Sequence, residues 1–222
     1  MRVWPPRPIL HPGRLVKRVL IIGATGRTGL RLIEESLLRG HTVTVLARRP
    51  EALRTLRERV TVVQGDVLDP APVALAVTGA DAVLCALGPH RESPPMLCSQ
   101  ATSLLLSAME PQGVRRLVCI TGAMIGHSEH RLGWLYKVMR HAFRDAIQDR
   151  QLQEKLILGS ALDWTLVRPP RLSNGPARDI WRAGEDVRIG TLAHIGRADL
   201  ARFMVQQLED PSFIRRAVTV AY

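Results

Sequence analysis

The sequence predicts a doubly wound α/β domain with a mostly parallel sheet, and three observations predict it. Short β-branched apolar runs alternate with segments of helical pattern along most of the chain, and strands joined in this way make right-handed crossovers with helices on both faces of a sheet. Several runs are apolar throughout instead of alternating, as expected of strands buried on both faces. The first run ends in a glycine-rich turn that opens a helix, the join from which such domains start.

Residues 1–15 are rich in Pro and Arg with no periodicity and read as a flexible basic arm; residues 16–222 form the domain. Val16 to Ile22 is a short apolar strand, and Thr28 to Arg39 a helix closed by Gly40. The alternation repeats with His41 to Ala47 as strand, Pro50 to Glu58 as helix and Val60 to Val63 as strand. A short helix near Pro72 to Val77 leads to a strand at Asp81 to Leu87, then a helix covers Pro95 to Ala108. A strand at Arg116 to Thr121, a long helical region from Leu132 to Leu158 and a strand at Trp164 to Val167 complete the series. Regularity falls away after Pro170 until a helix opens at Arg197, and a last strand lies at Ala217 to Val220. The stretch between Arg171 and Ile195 is expected to form a small substrate-side segment over the carboxyl ends of the strands, where doubly wound sheets bind ligands.

With 222 residues, 46% hydrophobic and 23% charged, the chain suits one folded domain and not a disordered one. It has no apolar run near the roughly 18 to 20 residues that span a bilayer, and its start lacks the apolar centre of a signal peptide, so it is expected in the cytoplasm with no membrane. Cys85, Cys98 and Cys119 have no metal-ligand spacing and read as buried free thiols. The net charge of +11 raises nucleic acid as a partner. The excess is concentrated in residues 1–60, which hold 13 Arg or Lys against 4 Glu, and basic residues are overwhelmingly Arg, a skew that codon composition also produces. A nucleic-acid surface is therefore the weaker reading, and a monomer or homodimer acting on a small molecule the stronger one.

The turn Gly23-Ala24-Thr25-Gly26-Arg27-Thr28-Gly29 follows a buried strand and opens a helix, so its N–H groups and the helix N-terminus can face a pyrophosphate. The strand ending in Ala47-Arg48-Arg49 bears no acidic residue where an NAD-preferring site holds the ribose 2′-hydroxyl. Arg48 and Arg49 match a 2′-phosphate instead, through charge-assisted bonds, and NADP(H) is the expected cofactor; a solvated turn is the alternative. Asp66, followed by Val67, could accept from the adenine amino group or merely cap a turn. Gly88, after Leu87, allows close backbone approach to the cofactor or serves a plain turn.

Taken together, these segments resemble the atypical short-chain dehydrogenase/reductase superfamily, in its NAD(P)-binding, NmrA-like branch. Gly-Ala-Thr-Gly-Arg-Thr-Gly at 23–29, Val-Thr-Val-Leu-Ala-Arg at 43–48, Gly-Asp-Val at 65–67, Leu87-Gly88, Ser93-Pro94 and Asp163 to Pro169 carry the likeness, which extends over nearly the whole chain after residue 15. The resemblance implies a Rossmann-like domain in which Gly23, Thr25, Gly26, Arg27 and Thr28 hold the pyrophosphate, Arg48 the 2′-phosphate, and Asp66 with Val67 the adenine. It further implies that Leu87, Gly88, Thr121 and Pro169 line the ribose and nicotinamide. The chain departs from flavin-reductase members of the branch at Gly122 and Arg171, so substrate identity does not carry over.

The tyrosine–lysine pair of ordinary short-chain dehydrogenases is not evident, since Tyr136 is followed four residues later by Arg140; lysine lowers the phenol's pKa for proton transfer, and arginine suits that task less well. Thr121 is the first candidate to orient nicotinamide or substrate, and Tyr136 the candidate proton donor, each against a purely structural role. His127 and His130 read as loop residues, with no zinc set among the histidines. Arg171 could bind an anionic substrate or pair with the cofactor. Asp149 and Glu154, five apart on a helix, read as solvated charges. The expected activity is NADPH-dependent hydride transfer to a flavin, quinone or ketone-like acceptor; the alternative is a non-catalytic NADP(H)-binding redox sensor.

Overall fold

The computed structural model describes residues 2–3, 16–89, 93–122, 144–190 and 192–222. Eleven strands and five α-helices lie among them. In chain order they are β1 (Arg2–Val3), β2 (Arg18–Ile22), α1 (Arg27–Leu38), β3 (Thr42–Ala47), β4 (Thr61–Gln64), α2 (Pro70–Val77), β5 (Ala82–Cys85), α3 (Leu97–Met109) and β6 (Arg116–Ile120). After these come α4 (Arg144–Leu158), β7 (Asp163–Arg168), β8 (Arg171–Ser173), β9 (Arg182–Gly184), β10 (His194–Gly196), α5 (Arg197–Gln206) and β11 (Arg216–Ala221).

The main sheet has the order β1-β9-β11-β7-β6-β5-β2-β3-β4. Every pairing from β4 across to β11 is parallel, and at one edge β9 runs the opposite way, pairing antiparallel with both β11 and β1. Because β2 to β4 build outward in one direction and β5 to β7 in the other, the order reverses between β2 and β5. Crossovers on either side of such a reversal leave a crevice at the carboxyl ends of the strands. Residues of β2 alternate between two cores: Val19 and Ile21 pack with α1 and α5, and Leu20 and Ile22 with α2, α3 and α4. This explains the continuous apolar run, since both faces of the strand are covered.

Several expectations are corrected. Pro50 to Glu58 is no α-helix but two 3₁₀ turns, Pro50–Leu53 and Arg57–Arg59. Pro50 and Leu53 are buried and Leu56 half-buried, and a three-residue apolar spacing suits the three-residue turn of a 3₁₀ helix. The stretch after Pro170 holds short strands: β8 pairs with β10 in a separate two-stranded ribbon, and β9 joins the main sheet beside β11. Arg2–Val3, within the expected arm, pair with β9. Residues 123–143, which include the 132–143 part of the expected long helix, lie outside the described residues. Asp199 in α5 ties the segment after β8 to the domain: its buried carboxylate accepts from the Arg178 and Asp179 amides and the Tyr222 hydroxyl.

Candidate dinucleotide site

The glycine-rich turn stands directly after β2, at the reversal point. Gly23 has φ +79°, and a Cβ there would lie 2.7 Å from the Ala86 carbonyl group and 2.8 Å from the Leu87 nitrogen. Glycine is thus required twice, by the left-handed backbone and by the approach of the chain leaving β5. A Cβ on Gly29 would lie 2.1 Å from the Gly23 carbonyl oxygen, so the third glycine lets α1 press against the turn. Gly26 serves as N-cap of α1 without a side-chain cap, leaving the first-turn N–H groups of α1 to an external acceptor. Thr25, Gly26 and Arg27 are exposed around it, while Thr28 is buried. The uncapped N–H groups at the start of α1 suit a pyrophosphate, and a side chain at Gly23 or Gly29 would disrupt the turn that presents them.

Positive charge gathers on the same side. Arg197, at the start of α5, is held below its ordinary range by burial and by the nearby Arg27 guanidinium, and it donates to Asn174 at 2.8 Å. Arg48 and Arg49 are exposed just past β3. The Arg48 guanidinium lies 3.7 Å from the Asp66 carboxylate, whose other oxygen accepts from the Leu68 amide at 3.0 Å. Asp66 therefore closes its own turn and also faces Arg48 across the ends of β3 and β4. Val67 beside it is half-buried against the α2–α3 core.

On the other side of the crevice, Leu87 and Gly88 follow β5, Thr121 follows β6 and Pro169 follows β7. The structure brings these carboxyl-edge residues together and adds partners that the sequence reading missed. The Thr121 hydroxyl donates to Glu154 at 2.6 Å, and Arg168 donates to the same carboxylate through two nitrogens at 2.9 and 2.5 Å. Arg150 donates to the carbonyls of Leu87, at 2.7 Å, and Ile120, at 3.0 Å. Asp149 accepts from the Cys98 and Ser99 amides, both at 2.8 Å.

Asp149 and Glu154, expected to be solvated, are each 4% exposed, which corrects that reading. The available signal was the spacing of Arg150 and Glu154, which puts them four apart on one face of α4. Arg171 lies exposed on β8, outside this network. Tyr136, His127 and His130 lie outside the described residues.

The match of the NAD(P)H-binding family model to residues 23–211 covers all of these site residues, from the glycine-rich turn to Arg197. The chain belongs to the NAD(P)H-binding family. As a member it binds a nicotinamide dinucleotide, in agreement with the cofactor expected from the turn and Arg48. The chain spans 61% and 62% of the length of the first curated relatives it matches. A (4-alkanoyl-5-oxo-2,5-dihydrofuran-3-yl)methyl phosphate reductase of Streptomyces griseus is 31% identical over 68% of this chain and 46% of its own. Among solved structures, the anaerobilin reductase ChuY of Escherichia coli O157:H7 superimposes with TM-score 0.80 and 23% identity, over 91% of this chain and 96% of its own. A Veillonella parvula short-chain dehydrogenase/reductase in complex with NADP gives TM-score 0.76 and 21% identity, over 94% and 95%. These solved structures share the fold of this chain. No helix among the described residues is long and apolar enough to cross a membrane.

Proposed function

We propose that this protein is an NADPH-dependent reductase of a small organic acceptor of flavin, quinone or ketone type. The observation that carries the reading is the glycine cradle at the reversal point with Arg48 exposed beside it, an arrangement suited to a 2′-phosphorylated dinucleotide. Bound NADPH would supply the hydride. Gly23, Thr25, Gly26, Arg27 and Thr28 hold the pyrophosphate, Arg48 and Arg49 the 2′-phosphate, and Asp66 and Val67 the adenine side. Leu87, Gly88, Thr121 and Pro169 bound the nicotinamide pocket, Tyr136 donates the proton, and exposed Arg171 receives an anionic group of the acceptor. The Streptomyces relative, named as reducing a phosphate ester, supports an acidic acceptor. The buried free cysteines support a reducing compartment, the cytoplasm. The test is NADPH oxidation followed at 340 nm across flavins, quinones and ketones: turnover of at least one class is expected, and NADPH binding with no turnover of any class overturns the reductase reading.

A second reading, a non-catalytic NADP(H) sensor, is favoured by the Thr121 hydroxyl, whose proton is already given to Glu154. A partner whose capture depends on NADPH against NADP⁺ is the expected result for a sensor. Identical capture in both states counts against it.

A further inference from the structure

Helix α4 contributes more to the carboxyl edge of the sheet than burial requires. A single guanidinium, that of Arg150, bridges two neighbouring strand ends: one nitrogen donates to the Leu87 carbonyl at 2.7 Å, and the other to the Ile120 carbonyl at 3.0 Å. Gln153 steadies it, accepting from Arg150 at 2.7 Å and donating to Thr102 at 3.0 Å. One turn on, Glu154 accepts from the Thr121 hydroxyl and from Arg168, the last residue of β7. Two side chains four residues apart thereby fix the ends of three consecutive strands, β5, β6 and β7.

Two chemical consequences follow. Arg150 removes rotational freedom from the Leu87–Gly88 backbone, where a Cβ on Gly88 would already stand 3.4 Å from its guanidinium. Glu154 fixes the direction of the Thr121 hydroxyl. A hydroxyl has one proton and two lone pairs, and with the proton given to a carboxylate, Thr121 can offer the crevice only an acceptor. An acceptor at this point complements a ligand N–H, such as that of a primary carboxamide.

We propose that Arg150 and Glu154 are positioning residues for the nicotinamide half of the dinucleotide, Arg150 through the Leu87–Gly88 backbone and Glu154 through the polarity of Thr121. The inference rests on the reading above in placing the nicotinamide over the ends of β5 and β6. A buried ion pair such as Glu154–Arg168 adds little net stability over an apolar contact, whereas a fixed arrangement of carbonyls and hydroxyl is what orientation of a flat ring needs.

The experiment compares NADPH with adenosine 2′,5′-bisphosphate, which carries the 2′-phosphate and adenine but no nicotinamide. Both are titrated calorimetrically into the full chain and into Arg150→Met, Arg150→Lys and Glu154→Gln, with the fluorescence of bound NADPH as a second readout. Arg150→Met and Glu154→Gln are expected to lose about tenfold in NADPH affinity and to shift the bound fluorescence toward that of free NADPH. Bisphosphate affinity is expected to stay within about twofold, showing that each variant is folded, and Arg150→Lys to recover part of the loss. Equal losses for both probes, or unchanged NADPH affinity and fluorescence, overturn the proposal. Absence of binding of either probe to the unsubstituted chain overturns the cofactor reading itself, and the proposal with it.

Discussion

At the scale of single residues, the site depends on small groups in tight places. Gly29→Ala puts a methyl group 2.1 Å from the Gly23 carbonyl, so the turn must open and dinucleotide binding should fall at least a hundredfold, read by NADPH titration; retained affinity would show that the turn does not hold the pyrophosphate. Arg48→Ala removes a cation whose bond to phosphate is worth about 1.5 to 3 kcal/mol. NADPH affinity should drop roughly tenfold to a hundredfold while NADH affinity changes little, and matching losses would refute the 2′-phosphate assignment. Arg48 also shows how a residue can be legible by type and not by partner. Its charge is evident from the chain, but its position 3.7 Å from Asp66 exists only once β3 and β4 lie side by side.

At the scale of elements, helix α4 binds the structure together through charges. Asp149 accepts two amides at the N-terminus of α3, and its carboxyl lies below the ordinary 3.8: burial pushes it upward, but the combined bonds from Ser99 and Cys98 outweigh that effect. A carboxyl depressed in the folded state stabilises above its unfolded pKa, and that contribution fades as pH falls through the folded value. Asp149→Asn should therefore destabilise by about 1 to 3 kcal/mol near neutral pH, measured by urea unfolding. The gap between variant and parent should close below pH 3.8; a gap independent of pH would mean that the charge plays no part. The α-helices and the parallel strands of the main sheet were readable because each has a contiguous pattern. The strands β8, β9 and β10 were not, since three residues hold too little periodicity and their pairing depends on partners distant in the chain.

At the scale of the molecule, the crevice is lined by strand ends and turns from distant parts of the chain, so a ligand that binds only the folded crevice links stability to occupancy. NADPH at a hundred times its Kd should stabilise the fold by about 2.7 kcal/mol, raising Tm by roughly 5 to 10 °C for a domain of this size. NADH should raise it less, and an unchanged Tm at saturating NADPH would contradict a site built from the folded strand ends. The sequence by itself determined the parallel α/β core, the glycine turn and the basic residue after β3, because burial on both faces and backbone freedom leave local signatures. Only the tertiary structure decided the roles of Asp149, Arg150 and Glu154. Charged residues on a helix read as solvated until the strand ends and the α3 N-terminus that receive them are brought together, and those partners come from segments 14 to 63 residues away.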